Sequence, residues 1–287
     1  MTASGPGSSV NGISVDTNNI ECAVCGNSGY RPYFTAGAYF LVQCSVCGLV
    51  YTRNFKFSAT SYDEDNYFTR KNQYTARWDE FCRLFEPLVH NIHRYKKTGK
   101  FLDVGAGVGT LLSVAAKQGF VVQGVEVSSW AANFARTEKG LPVQTGTLEA
   151  AAFGAREFDV VVINHVLEHV QDPVALLREA GRILKDDGLL VIGVPNIGSI
   201  MAGLVRSRWA SLRPEEHIWH FTPATLRSLI GRSGFREVYF EAMDNYPAVG
   251  WSLKAIFRRL VNGLSMIMNR SEAMLIYAHK DQVSDNG

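Results

Sequence analysis

Four cysteines in this 287-residue chain are spaced to hold a metal ion. They are Cys22-x2-Cys25 and Cys44-x2-Cys47, separated by 18 residues, with Gly26 and Gly48 directly after each pair. Thiolates at that spacing form a tetrahedral zinc set, and the glycines suit the tight turns of two knuckles in which N–H groups face sulfur. Four ligands leave no open coordination position, so the zinc expected here is structural and not catalytic. Histidines supply the second reactive set. Two groups matter: His165 and His169 in Asn-His-Val-Leu-Glu-His, and His217 and His220 in Glu-His-Ile-Trp-His. Imidazole is the usual proton acceptor near neutral pH. His169 and His220 are the candidate bases, with His217 behind them. His165 and His169 stand at the i, i+4 spacing of one helical face. Plain structural use, bonding loop backbone or capping helices, competes with catalysis at each of them.

The third set is Asp103-Val104-Gly105-Ala106-Gly107-Val108-Gly109. Glycines after a strand let the backbone approach a ligand, and the helix that follows points its N–H groups at it. A dinucleotide fingerprint needs Gly-x-Gly-x-x-Gly/Ala. Here Thr110 stands at its last position, and the third glycine comes one residue early. Asp103, ahead of the loop, suits a positively charged ligand better than a pyrophosphate. Glu126, 21 residues after Gly105, is placed to accept both hydroxyls of a ribose. The competing readings are a tight structural turn for the glycines and a helix cap for Glu126.

The elements that must hold these residues follow from apolar patterning. Strands are expected at 100–104, 121–126, 142–145, 158–164, 188–194, 236–241 and 273–279, with helices near 109–118, 129–139, 173–184 and 223–232. Alternation of continuous apolar strands with helices predicts an α/β fold, a doubly wound, mostly parallel seven-stranded sheet. The glycine loop and the first histidine group then fall at the carboxyl edge of the strands, where ligands bind. The late strand pair predicts an antiparallel insertion at the sheet edge. Residues 72–97 carry an apolar helical face through Trp78, Phe81, Phe85, Leu88 and Ile92. Cys82, on that helix, reads as a small buried hydrophobe. Residues 1–19 read as a disordered leader, 20–57 as a zinc-ribbon-like module, 58–98 as a linker plus N-terminal helices, 99–280 as the main domain and 281–287 as a tail. Tyr33 to Gln43 reads as a hairpin between the cysteine pairs.

At this point the sequence resembles a known family. DVGAGVG, VEVS, FDVVVINHVLEHVQDPVALLREAGRILKDDGLLVIGVPN and EEHIWHFTPATLRSLIGRSGF, in that order over roughly 75–280, are similar to the class I S-adenosylmethionine-dependent methyltransferases. Within these they are most similar to the subgroup that includes ubiquinone-type O-methyltransferases and sugar and natural-product methyltransferases. The resemblance implies a Rossmann-like fold and S-adenosylmethionine as cofactor. It implies that the loop Asp103, Gly105, Ala106, Gly107 and Gly109 holds the methionine part, that Glu126 takes the ribose, and that Val127 flanks the adenine. Thr147 and Leu148 match the adenine-edge segment, Thr147 standing where the family often has Asp. Asn164 and His165 line the reactive end. Some ubiquinone-type members suggest a divalent-cation site, which here would take Glu168, His169, Glu215 and His217.

Composition limits the partners. Hydrophobic residues are 46% and charged residues 20%, and Lys+Arg of 29 against Asp+Glu of 27 gives a net charge of +2. That balance lacks the chain-wide basic footprint of a nucleic-acid binder. No apolar run reaches 18 residues, and the N-terminus lacks a secretory pattern, so a cytoplasmic protein with reduced thiols is expected. The module's aromatics, Tyr30, Tyr33, Phe34, Tyr39, Phe40 and Tyr51, are expected to fill its core; base stacking is the competing use. Arg206, Arg208 and Arg213 around Trp209 suit an anionic small-molecule acceptor such as a nucleotide-linked sugar or an aromatic acid. Residues 251–268 form an amphipathic helix expected to pack in the core or form a homodimer face, with membrane docking as the minority reading. The expected activity is direct methyl displacement onto an oxygen of a small metabolite or glycan precursor. Its rivals are an RNA methyltransferase using the zinc ribbon, a nicotinamide enzyme, and a non-catalytic binding module.

Overall fold

The computed structural model describes residues 20–55, 74–243 and 253–281. The expected leader at 1–19, the linker at 58–71 and all but one residue of the tail lie outside them. The chain builds two sheets. The larger has seven strands in the order β10-β11-β8-β7-β4-β5-β6. These are β4 (Gly99–Val104), β5 (Phe120–Glu126), β6 (Val143–Thr145), β7 (Phe158–Asn164), β8 (Leu184–Pro195), β10 (Phe235–Met243) and β11 (Ala273–Lys280). Strands β4 to β8 pair in parallel, while β11 runs antiparallel to both β8 and β10.

The expected strand runs are present because their apolar residues are buried on both faces. Alternation divides them between two cores. Leu102, Val161, Ile163, Leu190 and Ile192 face one side with α4 (Pro173–Ile183) and α6 (Pro223–Arg232). Phe101, Val160, Val162, Leu189 and Val191 face the other with α1 (Trp78–Ile92) and α2 (Thr110–Lys117). Cys82 is buried in that second core, as expected of a small hydrophobe. Helix α3 (Ser129–Lys139) starts at Ser128, whose side chain accepts from the Ala131 N–H.

The smaller sheet has the order β1-β2-β3-β9. The expected hairpin is β1 (Tyr30–Ala36) with β2 (Tyr39–Cys44). The sequence reading did not anticipate its continuation into β3 (Val50–Thr52) and β9 (Trp219–His220), the latter from the connection after β8. The cysteine module has no separate core: Cys22, Val24, Val42, Cys44, Leu49 and Tyr51 pack in one cluster with Leu167, Ile218, Trp219 and Phe221. Of its aromatics, Tyr51 is fully buried, whereas Tyr30, Tyr33 and Phe40 lie exposed, contrary to the core-filling role expected of them.

One further expectation fails. Residues 165–169 form a turn and no helix. Helix α4 starts at Pro173, as expected, with the Asp172 side chain accepting the Ala175 N–H as its cap. Helix α7 (Leu253–Ile267) buries Val261 and Ser265, but Phe257, Leu260, Leu264 and Ile267 are exposed, Leu260 at 69% and Ile267 at 83%. Its apolar stripe is wider than the surface it packs on. Helix α5 (Ile200–Val205) and a single 3-10 turn at Arg206–Arg208 complete the connection after β8. Among the described residues no helix is long and apolar enough to cross a membrane.

Candidate active site

The glycine loop joins β4 to α2. Gly105, Gly107 and Gly109 have φ of 76°, 54° and 89°, left-handed values that side chains resist. The Gly105 and Ala106 N–H groups donate to the Val125 carbonyl at 2.8 and 3.0 Å, turning the loop across the end of β5. A Cβ on Gly105 would stand 2.3 Å from Val166 Cγ2, and one on Gly109 2.6 Å from Leu141 Cδ1. The loop is thus pressed between the 165–169 turn and the segment before β6 at Gly105 and Gly109, where a side chain has no room.

Two carboxyls flank it. Glu126, at the end of β5, accepts the Gly107 N–H on Oε2 at 2.7 Å and the Ser128 N–H on Oε1 at 2.8 Å. It braces the loop and the start of α3 at once. Burial raises its pKa, and those backbone donors oppose the rise. Asp103 is buried beside it, and burial together with the Glu126 charge raises its carboxyl well above the usual range. Two buried acids with raised pKa values at one loop form a site suited to a cation. The Gly146 N–H donates to the Glu126 carbonyl at 2.9 Å, which brings the 146–148 segment to the same edge. Thr147 is exposed, and its hydroxyl accepts the Ala150 N–H. Leu148 is buried in the core, so a ligand contact from it falls to its backbone. Val127 is half exposed.

Across β4, the end of β7 supplies Asn164 and His165. His165 has φ 55°, a strained value for a residue with a side chain. Its N–H donates to the Gly193 carbonyl at 2.8 Å, and a Cβ on Gly193 would come within 2.1 Å of Asn164 Oδ1.

The structure brings the two histidine groups together. The His169 and His217 ring centroids are 4.6 Å apart, and those of His217 and His220 are 6.2 Å apart. Glu168 is the hub. Its carbonyl accepts from the Ile218 and Trp219 N–H groups, and its Oε1 lies 3.2 Å from His165 Nδ1 and 3.9 Å from His169 Nε2. His169 Nδ1 is 2.9 Å from the Glu216 carbonyl oxygen, which can only accept, so Nδ1 carries the proton and Nε2 keeps a lone pair. Burial lowers the His169 pKa, outweighing the Glu168 charge. His217 and His220 are each 4% exposed. Burial pushes His217 well below the usual histidine value and His220 to about 3. His220 therefore sits inside the small sheet, opposite Val50 of β3.

Glu168 Oε2 is buried with no hydrogen-bond partner, and Glu168, His169 and His217 offer ligand atoms within 4.8 Å of one another. Glu215, expected with them, is exposed and outside that group. Of the three arginines, Arg213 pairs with Glu216 at 2.8 Å, Arg206 and Arg208 lie exposed, and Trp209 is buried, donating to Glu272.

The four cysteine sulfurs lie within 4.8 Å of one another, Cys22 with Cys47 at 3.3 Å and Cys25 with Cys44 at 3.5 Å. Those separations exceed a disulfide bond and approach the edge of a tetrahedral thiolate site. Gly26 and Gly48 are left-handed, but their N–H groups donate to the Cys22 and Cys44 carbonyls.

The family described as "Methyltransferase domain" matches residues 76–239, more than half of the chain. The chain belongs to this methyltransferase family. It is 31% identical over 184 residues to a ubiquinone biosynthesis O-methyltransferase of Cereibacter sphaeroides, covering 60% of this chain and 74% of that protein. A Haemophilus ducreyi protein of the same description is 34% identical over 127 residues, covering 39% of this chain. The alignment spans about half, 54%, of that relative's length. A SAM dependent methyltransferase of Archaeoglobus fulgidus shares the fold with a TM-score of 0.54 at 21% identity, over 73% of this chain and 100% of that one. The protein is thus a class I S-adenosylmethionine-dependent methyltransferase on a Rossmann-like, mostly parallel seven-stranded sheet. The residue that sequence reasoning missed at this site is Thr52, which reaches both His217 and His220. The β-rich run Leu49-Val50-Tyr51-Thr52 was the only sign of its strand.

Proposed function

We propose that this methyltransferase methylates an oxygen of a small metabolite, with His169 taking the acceptor's proton. The supporting observation is the His169 ring: Nδ1 donates to the Glu216 carbonyl, which makes Nε2, 3.9 Å from Glu168 Oε1 and beside the His217 ring, the basic nitrogen. The similarity to ubiquinone biosynthesis O-methyltransferases supports oxygen as the acceptor atom.

Bound S-adenosylmethionine supplies a sulfonium methyl already activated for displacement. The chain's own residues do the rest. The glycine loop of Gly105, Ala106, Gly107 and Gly109 offers backbone N–H groups and a close approach, with Asp103 and Glu126 beside it as the acids that favour a cation. Glu126, already bonded to Gly107 and Ser128, keeps lone pairs for ribose hydroxyls. The 146–148 backbone and Val127 border the adenine side, and Asn164 and His165 border the reactive side. His169 Nε2 would take the acceptor hydroxyl's proton as the bound cofactor's methyl is transferred to that oxygen, the cofactor becoming S-adenosylhomocysteine. We further propose that Cys22, Cys25, Cys44 and Cys47 hold one structural zinc, on the convergence of their sulfurs.

A second reading has its own observation. The orphaned Glu168 Oε2 beside His169 and His217 fits a divalent cation, which would hold an acceptor hydroxyl as its alkoxide and so replace the free base. A screen of catechols, hydroxybenzoates, nucleotide sugars and RNA with S-adenosylmethionine, with and without added magnesium or manganese, tests the reading. Production of S-adenosylhomocysteine with a phenolic or sugar acceptor supports it. Turnover with RNA alone, or with no acceptor, contradicts it.

A further inference from the structure

Residues of the cysteine module reach into the histidine cluster. Strand β3 pairs with β9 in the register Val50 to His220 and Tyr51 to Trp219. One residue on, the Thr52 N–H donates to the Ile218 carbonyl at 2.9 Å. The Thr52 hydroxyl lies 2.9 Å from the His217 carbonyl oxygen and 3.0 Å from His220 Nε2. A hydroxyl has one proton, and a carbonyl can only accept. Thr52 Oγ1 therefore donates to His217 and accepts from His220, which fixes His220 as the neutral Nε2–H tautomer. Thr52 is 0% exposed, so neither bond competes with water. From the other side, the Glu168 carbonyl holds the Ile218 and Trp219 N–H groups. His217 is thus held between Thr52 and the turn that carries His169, with its ring 4.6 Å from the His169 ring.

We propose that Thr52 is a positioning residue for the methyl-transfer site: through His217 and His220 it sets the ring arrangement in which His169 works. This rests on the histidine cluster being the reacting edge, as proposed above. The cysteine knuckles are part of the same device. A three-residue strand does not hold its place alone. Here β3 begins three residues after Cys47, and Cys44 closes β2. Tyr51, between Val50 and Thr52, is buried against Trp219 with ring centroids 5.9 Å apart. The metal site then serves catalysis at a distance, by keeping β3 in register with β9.

The test uses the full-length, zinc-loaded chain with 15N-labelled histidine. In the wild type, His220 must show a protonated Nε2 and a bare Nδ1; the opposite tautomer overturns the proposal without any variant. Thr52→Val removes the hydroxyl at nearly constant shape, and Thr52→Ser keeps it. Thr52→Val is expected to shift the His220 and His217 ring signals and to lower kcat at least tenfold. The S-adenosylmethionine Kd should stay within twofold, and Thr52→Ser should restore both signals and rate. Unchanged ring signals in Thr52→Val, equal losses of cofactor affinity and rate, or no rescue by serine each overturn it. If Thr52→Val does not fold, failure of folded Thr52→Ser to reproduce the wild-type ring signals has the same force. The ring signals need no acceptor. Absence of methyl transfer by the wild type therefore counts against the proposed function, while the spectra still decide the role of Thr52.

Discussion

Glu126 Oε2 accepts the Gly107 N–H at 2.7 Å, so the acid at the end of β5 and the middle of the glycine loop form one unit. Buried Asp103 adjoins it. The consequences of that arrangement can be measured separately from the chemistry of methyl transfer.

The first concerns protons. Burial and Glu126 raise the Asp103 pKa in the free protein, so its carboxyl is protonated over a range above its ordinary value of 3.8. A sulfonium ligand favours the ionised form. Binding should therefore release a proton, and affinity should rise with pH through the raised pKa. Calorimetry in pairs of buffers of different ionisation enthalpy, stepped down in pH from neutrality toward the ordinary carboxylate range, is expected to give apparent enthalpies that diverge as Asp103 becomes protonated in the free protein, and Asp103→Asn should remove the divergence. Equal enthalpies for the wild type would show that Asp103 does not change its charge.

Gly105 is the most constrained loop position. Its left-handed backbone costs an alanine about 1–2 kcal/mol, before the 2.3 Å approach of the new Cβ to Val166 Cγ2. Gly105→Ala should destabilise the fold and weaken S-adenosylmethionine binding. Adding Val166→Ala should recover the packing part of the loss and leave the backbone part. Wild-type melting temperature and affinity in Gly105→Ala would contradict the observed loop.

His169→Ala removes the open Nε2 without touching the glycine loop. The expected result is a kcat lower by about 10²–10⁴-fold, with the S-adenosylmethionine Kd unchanged. A rate that survives in His169→Ala but depends on magnesium or manganese would favour a metal-held acceptor.

Purified with its thiols intact, the chain should carry one equivalent of zinc, and Cys25→Ser should lose it. Because Cys22 and Cys44 share a core with Leu167, Trp219 and Phe221, that loss should lower the melting temperature of the chain as a whole, with no separate transition for the module. Less than one equivalent of zinc in the wild type would refute the site.

The sheet and its glycine loop were legible because their signals are local in sequence. Val160 to Ile163 and Leu189 to Ile192 are unbroken apolar runs, and the glycines sit where left-handed backbone is required. What failed depended on partners distant in sequence. The i, i+4 spacing of His165 and His169 fits a helix and a turn equally, and the backbone there is a turn with His165 at positive φ. Arg213 looked like a free cation until Glu216 turned toward it. The apolar stripe of α7 does not say by itself whether it packs in the core or on a second copy, and Phe257, Leu260 and Leu264 meet solvent in the single chain. Thr52 had no signal of its own, because its partners lie 165 and 168 residues away.

The central claim is that the loop braced by Glu126 holds S-adenosylmethionine. Calorimetric titration of the wild type and of Glu126→Ala with that molecule tests it most directly. One site per chain is expected in the wild type, with affinity at least tenfold weaker in Glu126→Ala, the loss of charge-assisted hydrogen bonds worth about 1.5–3 kcal/mol each. No binding by the wild type, or identical affinity in Glu126→Ala, would contradict it.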